Sequence, residues 1–112
     1  MNINFNNKIF SLLENSSEGK VNTNTIFKYS QVGDLVTADY HGGTIVYGKI
    51  IAKLVEDKLE MLYQCLTIDG ELKAGKAIAQ INFSENGKMK LSLEWEWLGE
   101  NERSGTSEYI EN

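Results

Sequence analysis

The sequence predicts an all-β domain, an antiparallel up-and-down barrel of eight strands, and three observations carry that expectation. Turn signals recur at short intervals: Glu18-Gly19, Gly33-Asp34, Gly42-Gly43, Glu56-Asp57, Asp69-Gly70 and Asn86-Gly87, with a longer polar break from Gly99 to Gly105. Asn-Gly, Asp-Gly and Gly-Gly pairs supply the positive φ angles of tight hairpins. The segments between these turns read as strands, three of them with a clear period of two. Eight strands joined by short turns cannot be parallel, since a parallel pair needs a crossover of about a dozen residues. Such a meander leaves two raw edges unless it curls until the first strand meets the last. A two-sheet sandwich is the rival arrangement.

The elements follow in order. Met1 to Asn7 is Asn-rich, and it is expected to be disordered or loosely attached ahead of a single barrel domain spanning 8–112. Weak strands are expected over 8–14, 23–31 and 35–40. In 44–54, Thr44, Val46, Gly48, Ile50, Ala52 and Leu54 share one face, against Ile45, Tyr47, Lys49 and Lys53. Segment 58–68 has helical spacing at Leu59, Leu62, Tyr63 and Leu66, yet Asp57 and Asp69-Gly70 bound it like a hairpin arm, so a strand is preferred. In 72–83, Gly75, Ala77, Ala79, Ile81 and Phe83 lie opposite Lys76, Gln80 and Asn82. The clearest strand is 88–98, with Met89, Leu91, Leu93, Trp95 and Trp97 on one face and Lys88, Lys90, Ser92, Glu94 and Glu96 on the other. Strand 106–110 closes the series. Gly48 and Gly75, inside strands, suit the bends that closure needs.

Composition bounds the function. At 112 residues and 41% apolar, the chain makes one core that folds unaided. Sixteen acidic against eleven basic residues give a net charge of −5. The lysines are scattered and Arg103 is the one arginine, so no nucleic-acid partner is expected. No apolar run approaches the ~20 residues of a spanning helix, so no membrane association is expected. Cys65 has no second cysteine to pair with, and the N-terminus shows no secretory pattern; a cytoplasmic location is the default.

Candidate chemistry is sparse. Tyr29, Tyr40, Tyr47 and Tyr63 fall on four strands, and a barrel brings rings from different strands into one lumen. Gln31, Gln64 and Gln80 add amides; a closed internal hydrogen-bond network is the plain alternative. Trp95 and Trp97 either fill the core, cover an outer contact, or wall a ligand. Glu94 and Glu96 stand two apart, roughly 7 Å, a separation near that of paired glycosidase carboxylates, but opposite the apolar stripe. Glu94 lines the lumen only if the polar side faces inward. His41 lacks partner ligands, so no metal or other cofactor is expected. Cys65 alternates with Leu59, Met61 and Tyr63 as a buried thiol would; as a nucleophile it has His41 alone as a base.

A run of local motifs extends over most of the chain. It comprises Thr25-Ile26-Phe27 with Tyr29, Gln31 and Gly33; Tyr40 with Gly42-Gly43; and Met61 with Tyr63-Gln64. It continues through Asp69-Gly70-Glu71-Leu72 with Gly75, Asn86-Gly87-Lys88, Glu94-Trp95 with Trp97, and Ser104-Gly105-Thr106-Ser107. On these residues, from about Lys8 to Ile110, the chain resembles a family of small bacterial β-barrels, avidin- or lipocalin-like, often labelled N-acetylglutamate synthase. The label implies acyl transfer from coenzyme A, which in the usual acetyltransferase fold needs a helix whose Gly-rich N-terminus receives the pyrophosphate. No Gly-rich turn opens a helix here. Cys65 stands where a His commonly follows the Tyr-Gln pair in that family, so a role for that imidazole does not carry over.

The leading expectation is therefore a non-catalytic barrel holding a small molecule in its lumen, with Tyr29, Tyr40, Tyr63, Gln64, Gln80, Glu94 and Trp97 as ligand-binding residues. Self-association as a homodimer through an aromatic outer face stays open. An enzyme, either the acyltransferase of the label or a hydrolase using Glu94, is the second reading. A filled-core interaction module with an exposed patch at Trp95 or Trp97 is the third.

Overall fold

A computed structural model describes residues 3–15, 23–99 and 104–112. Its strands are β1 (Ile9–Asn15), β2 (Ile26–Val32), β3 (Leu35–Gly42), β4 (Ile45–Val55), β5 (Lys58–Thr67), β6 (Leu72–Phe83), β7 (Met89–Trp97) and β8 (Ser104–Glu111). Each pairs antiparallel with the next, and β1 pairs with β8, so the sheet closes into a barrel. The expected fold class is the observed one, and the sandwich is excluded by the β1–β8 ladder. Segment 58–67 is a strand, paired along its length with both β4 and β6. Strand β2 begins at Ile26 rather than residue 23, because Thr25 turns inward and its hydroxyl donates to the Gly42 carbonyl.

Alternation sorts the side chains between lumen and outer wall. On β7, Met89, Leu91, Leu93, Trp95 and Trp97 are all buried, as the sequence pattern requires. Phe83, grouped with that inner face on β6, is half out at 39% exposure where the strand ends. Strand β4 departs from its expected faces. Its register shifts between Ile45 and Tyr47, so Ile45 is buried while Val46 is 51% exposed, and Gly48, Ile50 and Ala52 then face inward. The extra residue of a β-bulge reverses parity, which strict alternation cannot anticipate.

The lumen is fitted by setting large rings against glycine. Tyr40 faces Gly48, Tyr63 faces Gly75, Trp97 also faces Gly75, and Trp95 faces Gly105 across their ladders. One end of the barrel is stopped by the chain's own N-terminal segment. Phe5 is fully buried against Phe10 and Tyr29, with ring centroids 6.0 and 5.2 Å away. Its backbone N–H donates to the Gln31 side-chain oxygen at 2.8 Å, and the Gln31 N–H donates to Asn6. Asn7 takes φ 61°, a left-handed conformation that Asn tolerates, and this turn folds Phe5 back into the barrel. Residues 3–7 thus belong to the packed domain, a correction to the loose attachment expected from their composition; Met1 and Asn2 lie outside the described residues.

Candidate lumen site

Above the Phe5 stopper the inner faces of β2, β3, β4, β5, β7 and β8 line a cavity of about 50 Å³. Tyr29, Tyr40, Tyr63 and Tyr109 bring their rings to it, together with Met61, Cys65, Trp95, Trp97 and Ser107. Phe27 stacks on Tyr40 at 4.7 Å and meets Tyr109 edge-on at 4.9 Å, and Tyr63 meets Trp97 edge-on at 5.4 Å. Such offset and edge contacts suit the ring quadrupoles and fix the wall.

The hydroxyls differ in their partners. Tyr40 donates to the Gln64 carbonyl and Tyr63 to the Glu96 carbonyl, each at 3.3 Å. Tyr40 also bonds the Cys65 thiol. Ser107 accepts the Trp95 indole N–H at 2.7 Å and bonds the Tyr109 hydroxyl. The hydroxyl of Tyr29 makes no hydrogen bond among the described residues; the side chain lines the cavity and keeps 3% exposure, and no described side-chain polar atom is both sealed from solvent and unpartnered. Burial pushes all four phenols well above the ordinary tyrosine value, so they remain protonated donors at any physiological pH.

At the end of the barrel away from the stopper, Lys73 sits directly across the ladder from Cys65 and two residues before inward-facing Gly75. Its ammonium lies 5.2 Å from the centroid of the Trp97 ring. No carboxylate pairs with it among the described residues, whereas Lys8, Lys49 and Lys76 are paired with Glu111, Asp39 and Glu96.

Of the residues expected to bind a ligand, Tyr29, Tyr40, Tyr63 and Trp97 meet in this cavity. Gln64, Gln80 and Glu94 do not. Gln64 and Glu94 are exposed on the outer wall, and Gln80 lies on the same wall with its amide donating to the Asp57 carbonyl. Gln64 follows Tyr63 directly, so a strand must send the two to opposite faces. Tyr47 is also outside, donating to Asp39 at 2.7 Å, and Gln31 serves the stopper. His41 is exposed on the outer wall while Cys65 faces in, so strand alternation separates them.

Both tryptophans point inward, so neither forms an outer aromatic patch. Apart from Tyr47 and Phe83, the exposed large apolar side chains are aliphatic, among them Leu35, Ile51, Leu62 and Ile78. They border a shallow trough of about 1150 Å³ that also passes Glu94 and Thr106. It lies open along its length and lacks the enclosure a small-molecule site requires. Sequence reasoning missed Tyr109, Ser107 and Lys73. Ser107 and Tyr109 alternate on β8, but adjacent Tyr109 and Ile110 are both large and apolar, which left the inner face of that short strand undetermined.

Neither the curated proteins nor the solved structures give a match to this chain. A family model described as avidin-like protein matches residues 3–112. Nearly the whole barrel is covered, stopper included, and the chain belongs to the avidin-like protein family.

Proposed function

We propose that this protein binds a small, flat, largely apolar molecule carrying a hydrogen-bond acceptor, held in the lumen and released unchanged. The Tyr29 hydroxyl carries this reading. Its side chain is 3% exposed and lines the cavity, and no atom of the described barrel takes its proton, so the donor is available to a water or ligand in the lumen. Around it stand aromatic walls with a few placed donors, the usual composition of a small-molecule pocket. At about 50 Å³ the cavity has room for one or two waters, at roughly 30 Å³ each. A larger ligand expels that water and turns the half-buried Tyr63 ring away from Gly75, the most yielding part of the wall.

The test is a titration of small aromatic acids, amides and alcohols, followed by the fluorescence of Trp95 and Trp97. Saturable quenching, abolished when Cys65→Met fills the cavity, supports the reading. Absence of any saturable signal across the panel, with no shift in melting temperature, refutes it.

No observation favours the enzymatic readings. The described residues contain no helix whose N-terminus would receive a pyrophosphate. Glu94 stands on the outer wall and Glu96 is paired with Lys76 at 3.1 Å, away from the enclosed cavity.

A further inference from the structure

We propose that the lumen ligand is an organic anion, an aromatic carboxylate or its equivalent, and that Lys73 selects it by charge. This rests on the lumen-binding reading above and adds the chemical class.

The position of Lys73 follows from register. Gly75, Ala77 and Ala79 face the lumen, so Lys73, two residues before Gly75, projects from the same face at its rim. Cys65, directly across from it, lines the cavity. Among the described residues it is the one charged side chain on the inner face at this end of the barrel. An inward acid, Glu111, lies at the stoppered end and is consumed by Lys8 and the Met89 N–H. The Trp97 ring beneath the ammonium is itself a cavity wall, so the charge stands over the entrance.

Two ligand charges compete for an aromatic lumen. Rings alone favour a cation, which the negative faces of Tyr and Trp attract. Here Lys73 already occupies the face of Trp97, and its charge repels a second cation. The remaining polar groups point the same way. Tyr40 and Tyr63 already donate to backbone carbonyls and Tyr109 bonds Ser107, so the phenol of Tyr29, held protonated by burial, is the donor left for a ligand, and a carboxylate accepts hydrogen bonds only. An anion entering beneath Lys73 gains a charge-assisted bond in surroundings that water screens poorly. The chain's net charge of −5 makes this rim a local exception, one that draws an anion to the entrance rather than to the wall.

Three probes of one shape separate the possibilities: phenylacetate, phenylacetamide and phenethylamine, each titrated against the intact protein by tryptophan fluorescence. The expected order is phenylacetate about ten-fold tighter than the amide, with the amine weakest, and a salt-dependent preference for the acid. Lys73→Met removes the preference for the acid and leaves the amide's affinity unchanged. Lys73→Arg keeps that preference, and both variants melt near the parent temperature because the side chain is at the rim. Equal affinity for acid and amide in the parent overturns the charge selection while leaving lumen binding intact. Tighter binding of the amine overturns it in favour of the cation cage. If none of the three binds and Cys65→Met changes nothing, the lumen reading falls and takes this inference with it.

Discussion

Gly48 lies directly across the β3–β4 ladder from Tyr40, and the phenol ring of Tyr40 covers the space a Cβ on Gly48 would fill. All three atoms nearest that position belong to the Tyr40 ring. The glycine is therefore there for room and not for backbone conformation. Gly48→Ala must push the ring off its stack with Phe27 and is expected to cost about 1–3 kcal/mol. In a Tyr40→Ala background the same change is close to neutral. Urea unfolding of the four proteins of this cycle measures the difference. Additivity within about 0.5 kcal/mol would show that the ring does not depend on the missing Cβ.

Glu56 adopts φ 58° in the two-residue turn between β4 and β5. An L side chain is strained there, and glycine is the residue such hairpin turns prefer. Glu56→Gly is expected to raise stability by roughly 0.5–1 kcal/mol, read as a higher urea midpoint with an unchanged slope. A lower midpoint would mean that the turn is held by something other than its backbone preference.

Much of the barrel was legible because burial and alternation agree wherever the lumen is narrow. On β7 the two tryptophans and three aliphatic residues cannot share a face with Glu94 and Glu96 without burying charge. The lumen is filled by rings, so the apolar side turns inward, and Glu94 goes outside for the same reason that Trp95 goes inside. Period two also separates Tyr63 from Gln64 and sets Gln80 against Ala79, which puts both amides on the outer wall. Other features were beyond a pattern of local residues. The bulge at Val46 reverses β4 only because Ile45 and Tyr47 pair with adjacent residues of β5, a tertiary fact. Phe5 looked detached because the turn that returns it is built from Asn6 and Asn7, residues equally common in loose segments.

The stopper should matter in proportion to its burial. Phe5→Ala removes a fully buried ring from between Phe10 and Tyr29, with an expected cost of roughly 3 kcal/mol. Hydrogen exchange of the Tyr29 N–H, which donates to the Lys8 carbonyl, should quicken with it. A loss below about 0.5 kcal/mol would identify residues 3–7 as an accessory to an already closed barrel.

The β1–β8 seam carries a pH signature. The Lys8 ammonium, 2.9 Å from Glu111, and the Met89 N–H hold the Glu111 carboxyl below the usual carboxylate range. A depressed native value means that the unfolded chain binds the proton more readily. The stabilisation is therefore full above the ordinary glutamate value and is lost as the pH falls through the depressed one. Lys8→Met should lower stability near pH 7 by about 1 kcal/mol, with the gap to the parent closing as the pH falls from about 5 to 3. Urea midpoints across that range test it, and a gap that stays constant with pH would assign the loss to packing of the lysine stem instead.

Tyr29 gives the sharpest separation of function from stability. A hydroxyl that serves the fold is bonded to the fold, as Ser107 is bonded to Trp95. The hydroxyl of Tyr29 finds no such partner among the described residues, while its ring is packed between Phe5 and Phe10. Tyr29→Phe keeps the ring and removes the oxygen. Stability should hold within about 0.5 kcal/mol, because the hydroxyl taken away bonds to no part of the described barrel. Binding of phenylacetate should weaken about ten-fold, since the donor lost is the one that no protein atom uses. The opposite outcome is equally readable: a loss of about 2 kcal/mol in stability with affinity unchanged would make that hydroxyl part of the barrel's internal bonding, and the lumen would then lack a donor kept in reserve for a guest.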